Sequence, residues 1–181
     1  RALGTKPAPM AVEGLLDEAL LQAFRARMTG RGGERAVALT ELLLRIAPER
    51  FAAPDIYMLR LLSDVTSPRL ETPARSLLAT FDLDRDRRPV AAYWSGNVLE
   101  KLGDAAGAIK LYTLLCDRPE FDDEPMKAQA CERVGLHELE RGRVAAARVR
   151  LWHSARISRH ANEGWEFDRK LALIARTNAA R

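Results

Sequence analysis

The sequence predicts an all-α fold of about nine helices paired as antiparallel hairpins. Three observations point there. Apolar residues recur at helical spacing along most of the 181 residues. No stretch alternates apolar and polar residues with β-branched enrichment, as a half-buried strand does. Two segments, "GNVLEKLGDAAGAIKLY" (96–112) and "GLHELERGRVAAARVRL" (135–151), share one pattern: Gly, six residues, Gly, four residues, Ala, three residues, then Tyr or Leu.

Residues 1–11 carry no periodic pattern and are expected to be flexible. Leu15, Leu16, Ala19, Leu20, Ala23 and Phe24 line one face of a first helix over 12–28, which "TGRGG" (29–33) stops. Ala36, Leu39, Leu42, Leu43 and Ile46 mark a second, ending before Pro48. Pro54 is expected to open a third, because a proline in the first helical turn gives up an N–H that has no partner there. "TSPRLETP" (66–73) reads as a loop, with Thr72 capping a fourth helix from Pro73 through Leu77 and Leu78. "DLDRDRRP" reads as a charged linker.

The fifth and sixth helices fall at 89–102 and 105–116. "DRPEFDDEP" separates them from a seventh over 125–141. The eighth spans 144–158 and is expected to fray near Ser158. A ninth, over 162–175, carries Trp165, Phe167, Leu171 and Ile174. Connections this short pair successive helices into hairpins. The chain then divides into residues 12–88 as divergent hairpins, 89–158 as two matching ones, and 159–181 as a covering helix and tail, in one continuous domain. Trp165, Leu171 and Ile174 are expected to cover the last hairpin, with Glu163, Glu166, Arg169 and Lys170 facing solvent.

In the matching hairpins, Gly96 and Gly135 lie mid-helix, where Gly costs about 0.5–1 kcal/mol relative to Ala. Close approach of the facing helix offsets that cost. Gly103 and Gly142 fit the left-handed conformation that ends one helix and opens the turn. Ala108 and Ala147 are small residues early in the second helix, with Tyr112 and Leu151 one turn on.

This spacing resembles the tetratricopeptide repeat, a helical hairpin stacked into solenoids. Gly96, Gly103, Ala108, Tyr112 and Pro119 match that pattern, and Gly135, Gly142, Ala147 and Leu151 match it again. The period is 39 residues from Gly96 to Gly135, against 34 in the family. The early aromatic of the first helix is shifted to Tyr93-Trp94 in one copy and missing from the other. The resemblance implies a short right-handed solenoid and a non-catalytic scaffold that binds a peptide or partner protein on its concave face. By that resemblance the lining comprises Val90, Tyr93, Asn97, Glu100 and Lys101 from one helix. Gln129, Glu132, Arg133, Leu136 and Glu140 come from the next. Asn97 stands where peptide-binding relatives bond the ligand backbone. Tyr93 replaces the cation that accompanies it in carboxylate-binding relatives, which argues against capture of a peptide C-terminus.

"AYWSGNVLEKLGDAAGAIKLY" is also similar to hairpins in the ring-shaped, non-catalytic part of soluble lytic transglycosylases. That similarity implies the alternative of an accessory domain in a larger enzyme.

Composition bounds the other readings. Apolar residues at 47% and charged residues at 30% place the chain among folded globular sequences rather than disordered ones. No apolar run approaches the roughly 20 residues of a membrane helix. Arg supplies 24 of the 29 basic residues, a bias that fits a GC-rich bacterial genome. The chain opens on Arg1 without a signal core, as expected of a processed or excised piece. Its compartment is not legible.

A net charge of +4 is too small to imply nucleic acid alone. "RGRVAAARVRLWHSARISRH" does place Arg148, Trp152 and Arg156 on one helical stripe, with Arg159 near its end. That stripe fits either cation–π packing on a surface or the binding of phosphate or an acidic partner, which makes a nucleic-acid binder the third and least favoured alternative.

The acidic stretches "FDLDRDRR" and "EFDDEP" read as solvated linkers; the first lacks the glycine and terminal glutamate of a calcium loop. His137, His153 and His160 are expected on the surface. Cys116 and Cys131 are expected as buried free thiols, on consecutive helices that let them approach. Neither has zinc-ligand spacing to a histidine, so no metal site or cofactor is expected. With no nucleophile elbow, phosphate loop or dinucleotide fingerprint, no catalysis is expected.

Overall fold

The computed structural model describes residues 8–31, 33–52, 55–65, 67–81, 88–121, 125–160 and 164–179. Nine α-helices and no strand occur among them. No helix among the described residues is long and apolar enough to cross a membrane. The chain divides into two compact units, residues 1–86 and 87–181, near the charged stretch between the fourth and fifth helices. Residues 82–87 and 122–124, which hold most of the two acidic stretches, lie outside the described residues.

The first unit holds α1 (Pro9–Thr29), α2 (Gly33–Ile46), a 3-10 turn at Pro48–Phe51, α3 (Ile56–Asp64) and α4 (Pro68–Ala79). Helix α1 begins three residues earlier than the periodicity predicts, on Pro9. It stops at Gly30, whose φ of 67° turns the chain while its N–H donates to the Ala26 carbonyl at 2.8 Å. Small residues let α1 and α2 pack closely: Ala19, Ala23 and Ala36 are buried beside Leu16 and Leu43.

Two helix starts differ from the sequence reading. Helix α3 is capped by Asp55, whose carboxylate accepts from the N–H groups of Tyr57 and Met58 at 2.8 and 3.4 Å; Pro54 lies outside the described residues. Helix α4 starts at Pro68, not Pro73, and runs through Pro73. Its cap is Ser67, which accepts from the Arg69 N–H and donates to Glu41 at 2.8 Å. Arg69 reaches the same carboxylate at 3.1 Å. The early start buries Leu70 on one stripe with Ala74 and Leu77, which outweighs the single backbone bond that Pro73 forfeits.

The second unit holds α5 (Pro89–Lys101), α6 (Ala105–Cys116), a 3-10 turn at Pro119–Phe121, α7 (Pro125–Glu140), α8 (Val144–His160) and α9 (Gly164–Ala179). Each helix packs on the next, and α5 also packs on α7. Helix α8 does not fray at Ser158. Ser158 is fully buried, and the helix continues to His160.

The two hairpins α5–α6 and α7–α8 are built alike. Gly103 (φ 79°) and Gly142 (φ 73°) adopt the left-handed conformation. Around the first, the Gly103 N–H donates to Glu100 at 3.1 Å and the Asp104 N–H to Leu99 at 2.9 Å; around the second, Gly142 donates to Leu139 at 3.0 Å and Arg143 to Glu138 at 2.9 Å. This paired bonding satisfies carbonyls that a helix end leaves open. Beneath each turn a glycine meets the large residue of the partner helix. A Cβ on Gly96 would stand 2.3 Å from the Tyr112 ring, and one on Gly135 would stand 2.9 Å from Leu151 Cγ. The mid-helix glycines therefore exist for close approach.

Candidate functional site

The face formed by α5 and α7 is held together by polar contacts. The Tyr93 hydroxyl donates to Gln129 at 2.6 Å, and Arg133 stands 3.8 Å from Glu100. Asn97 donates its amide to the Tyr93 carbonyl one turn back, at 2.9 Å. Tyr93 packs against Trp94 and Tyr112, with ring centroids 5.2 and 5.9 Å apart. Burial pushes the phenols of Tyr93 and Tyr112 above their usual range, so both stay protonated near neutral pH. The Tyr112 hydroxyl is buried without a hydrogen-bond partner, and Glu100 acts on it chiefly through its charge. Burial disfavours the Arg133 cation, but Glu100 and the two phenols more than compensate, and its pKa rises.

The ten residues expected to line a concave face thus separate into two groups. Lys101, Arg133 and Glu140 are exposed, and Val90, Asn97, Glu100, Gln129 and Leu136 are half-buried. Tyr93 and Glu132 are buried and have other work. Tyr93 fills the core between α5 and α6. Glu132 receives both guanidinium nitrogens of Arg169 at 2.6 Å and stands 3.7 Å from the Lys170 ammonium.

Those contacts correct the expectation for α9. Lys170 does not face solvent: it is fully buried and donates to Ser158 at 2.6 Å. Arg169 is the more exposed partner, yet it too is bound. Ile174 packs with Leu151 and Ala155, with Leu171 against them, so α9 packs on α8. Glu163 and the side chains of Trp165, Glu166 and Phe167 lie outside the described residues.

The basic stripe on α8 is not four equivalent cations. Arg148 reaches over α9 to the Thr177 hydroxyl and carbonyl at 3.3 and 3.2 Å. Arg156 and Arg159 are exposed, and Trp152 is half-exposed beside the exposed Val149.

A second cluster was not expected. Cys116 and Cys131 are not free thiols but a disulfide, with Cα atoms 5.0 Å apart. Closing a 15-residue separation stabilises a fold by about 3 kcal/mol. His153, expected on the surface, is half-buried against this bond, its Nδ1 standing 4.0 Å from Cys116 Sγ and 3.9 Å from Cys131 Sγ. Arg150 donates to Cys116 Sγ at 3.5 Å and is paired with Asp117. No local motif announces this group, because its members sit on α6, α7 and α8. The one signal in the sequence was the placement of Cys116 and Cys131 on consecutive helices, which lets the two sulfurs approach; nothing pointed to His153.

Comparison with protein-family models, curated proteins and solved structures returns no match.

Proposed function

We propose that the second unit is a tetratricopeptide-like module that holds a protein or peptide partner on its α5–α7 face and catalyses no reaction itself. The observation that carries this reading is the equivalence of the two hairpins. Both use a left-handed Gly in the turn and a helical Gly against Tyr112 or Leu151, so both present a first helix supported in the same way. Repeated supports of this kind give a continuous ligand surface in solenoids. Asn97, Lys101, Arg133, Leu136 and Glu140 offer an amide, both charges and an apolar contact, a mixture suited to protein recognition. Tyr93 and Gln129 hold the two helices in place below them.

The test is affinity capture from an extract of the source cell, with wild type beside an Asn97→Ala, Arg133→Ala double variant of unchanged helical circular dichroism. The expected result is a specific partner lost by the double variant. Retention of every partner by that variant, or no specific partner for wild type, overturns the reading.

A further inference from the structure

We propose that reduction of the Cys116–Cys131 disulfide converts Cys116, Cys131 and His153 into a site for a thiophilic divalent cation, with Zn2+ the best fit. The argument begins with convergence. The last residue of α6, a residue in the second turn of α7 and one in the middle of α8 bring two sulfurs and an imidazole nitrogen within 4.8 Å of one another. A disulfide that only ties α6 to α7 needs no imidazole. Here Nδ1 stands almost equally far from both sulfurs, at 4.0 and 3.9 Å. Tetrahedral zinc, with Zn–S near 2.3 Å and Zn–N near 2.0–2.1 Å, separates such ligand atoms by about 3.5–3.8 Å. The imidazole is therefore within a few tenths of an ångström of its place, and only the sulfurs must part.

The surroundings suit the ion. Ala128 and Ile157 pack around the two cysteines and exclude water from the sulfur side. Arg150 already donates to Cys116 Sγ, the kind of outer contact that orients a metal-bound thiolate. Two thiolates neutralise a divalent cation, and the Arg150 charge is matched by Asp117. Three protein ligands leave the fourth position for water, as in open zinc sites.

The chemistry balances with a dithiol as reductant. Its thiolate attacks one sulfur, and its second thiol releases the other as the dithiol becomes a cyclic disulfide. Two electrons and two protons pass to Cys116 and Cys131. Zn2+ then displaces both thiol protons and takes Nδ1 of the neutral imidazole, whose own proton sits on Nε2. A small-molecule disulfide as oxidant takes the two electrons back, its own sulfurs leaving as two thiols; the reformed Cys116–Cys131 bond releases the ion, so cation binding and the disulfide exclude one another.

The experiment uses the full chain, reduced with dithiothreitol, freed of it by gel filtration without oxygen, and titrated with Co2+ as the spectroscopic probe. The expected result is thiolate-to-cobalt charge-transfer absorption that saturates at about one ion per chain and is bleached by Zn2+, with no such absorption from the oxidised protein. His153→Gln should weaken Co2+ binding by at least about tenfold, and Cys131→Ser should abolish the charge-transfer band. If reduction itself loosens the helices, Zn2+ should restore the helical circular dichroism. Reduced protein that stays helical without a charge-transfer band overturns the proposal. So does reduced protein that unfolds and is not restored by Zn2+, or a His153→Gln variant that binds as tightly as wild type.

Discussion

Gly96 lies flat against the ring of Tyr112, so close that a methyl group there would stand 2.3, 2.7 and 2.9 Å from three of its carbons. That ring is fully buried and is flanked by Tyr93, so it cannot swing away. Gly96→Ala should therefore destabilise the second unit by about 1–3 kcal/mol, the cost of overpacking a close-packed site, despite the better helix propensity of Ala. At Gly135 the neighbours are the branched end of Leu151, at 2.9 and 3.0 Å, and the Ala147 carbonyl oxygen at 3.3 Å, looser contacts than the ring makes with Gly96. Gly135→Ala should cost less. Urea unfolding of both variants checks the order, and equal costs would show that helix spacing, not the partner side chain, sets the penalty.

The turn glycines do a different job. Nothing lies within 4 Å of a Cβ built on Gly103 or Gly142, but their φ values are 79° and 73°. The cost of Gly103→Ala or Gly142→Ala is then conformational, about 1–2 kcal/mol. Asn, which tolerates this region better, should recover part of it. Thermal melts of the Ala and Asn variants at each turn decide this, and an Asn variant no better than Ala would contradict it.

The hairpins were legible because their signals are local. Gly103 and Gly142 interrupt strong helical periodicity, and the start of α6 follows from Asp104, whose side chain accepts from the Gly107 N–H. Helix α4 was misplaced because the sequence offers two similar starts, Ser67-Pro68 and Thr72-Pro73. The choice is made by Glu41, a residue of α2 that no local window contains. Lys170 looked like a solvent-facing cation for the same reason: the groups that bury it, Glu132 and Ser158, belong to other helices. The Cys116–Cys131–His153 cluster is the extreme case. It exists only because three consecutive helices cross at one point, and pairwise sequence spacing carries no record of that.

Ser67 is the hinge of that misplaced start, and its removal tests it. Ser67→Ala deletes an N-cap worth about 1 kcal/mol and the hydrogen bond that, more than any other influence, lowers the Glu41 pKa. A depressed carboxyl pKa stabilises the fold above its ordinary value of 4.5, and that stabilisation fades as pH falls through the folded value. The stability gap between wild type and Ser67→Ala should narrow as pH drops below 4.5. Thr72→Ala, by contrast, should leave stability within about 0.5 kcal/mol, as for surface sites without a structural role. A larger loss from Thr72→Ala than from Ser67→Ala would place the start of α4 at Pro73 instead.

The buried phenols set the alkaline limit. Tyr93 and Tyr112 both titrate above their ordinary value of 10.0, chiefly because burial disfavours the phenolate. A raised pKa on such an acid stabilises the fold below the unfolded value and loses that contribution as pH rises beyond it. Unfolding should set in above about pH 10. Tyr112→Phe removes one of these titrations and a buried hydroxyl that lacks a partner. Its stability at neutral pH should be unchanged or higher by up to about 1 kcal/mol, and its alkaline loss should be weaker. Tyr93→Phe gives up the bond to Gln129 and should lose stability already at neutral pH. Circular dichroism against pH for both variants separates these outcomes.

One carboxylate of α7 gathers two cations of α9. Glu132 is buried beneath two cations, the half-exposed Arg169 and the fully buried Lys170. Removing the carboxylate leaves the fully buried Lys170 ammonium, which donates to the Ser158 hydroxyl, without the anion that offsets its charge at 3.7 Å. Breaking a buried pair in this way costs about 3–5 kcal/mol, so Glu132→Ala should release α9 or unfold the unit. Arg169→Ala removes a partner that water already reaches and should cost nearer 1 kcal/mol. Lys170→Met keeps the apolar stem and removes the buried charge, which makes it milder than Glu132→Ala. Pairing it with Glu132→Leu should recover much of the Glu132 loss, because a buried pair is often replaceable by apolar residues of similar volume. Amide hydrogen exchange across α9 reads the effect where it occurs: fast exchange in Glu132→Ala, protection close to wild type in Arg169→Ala and in the double variant. Full protection of α9 in Glu132→Ala would mean that Leu171 and Ile174 hold the helix without the ion pair.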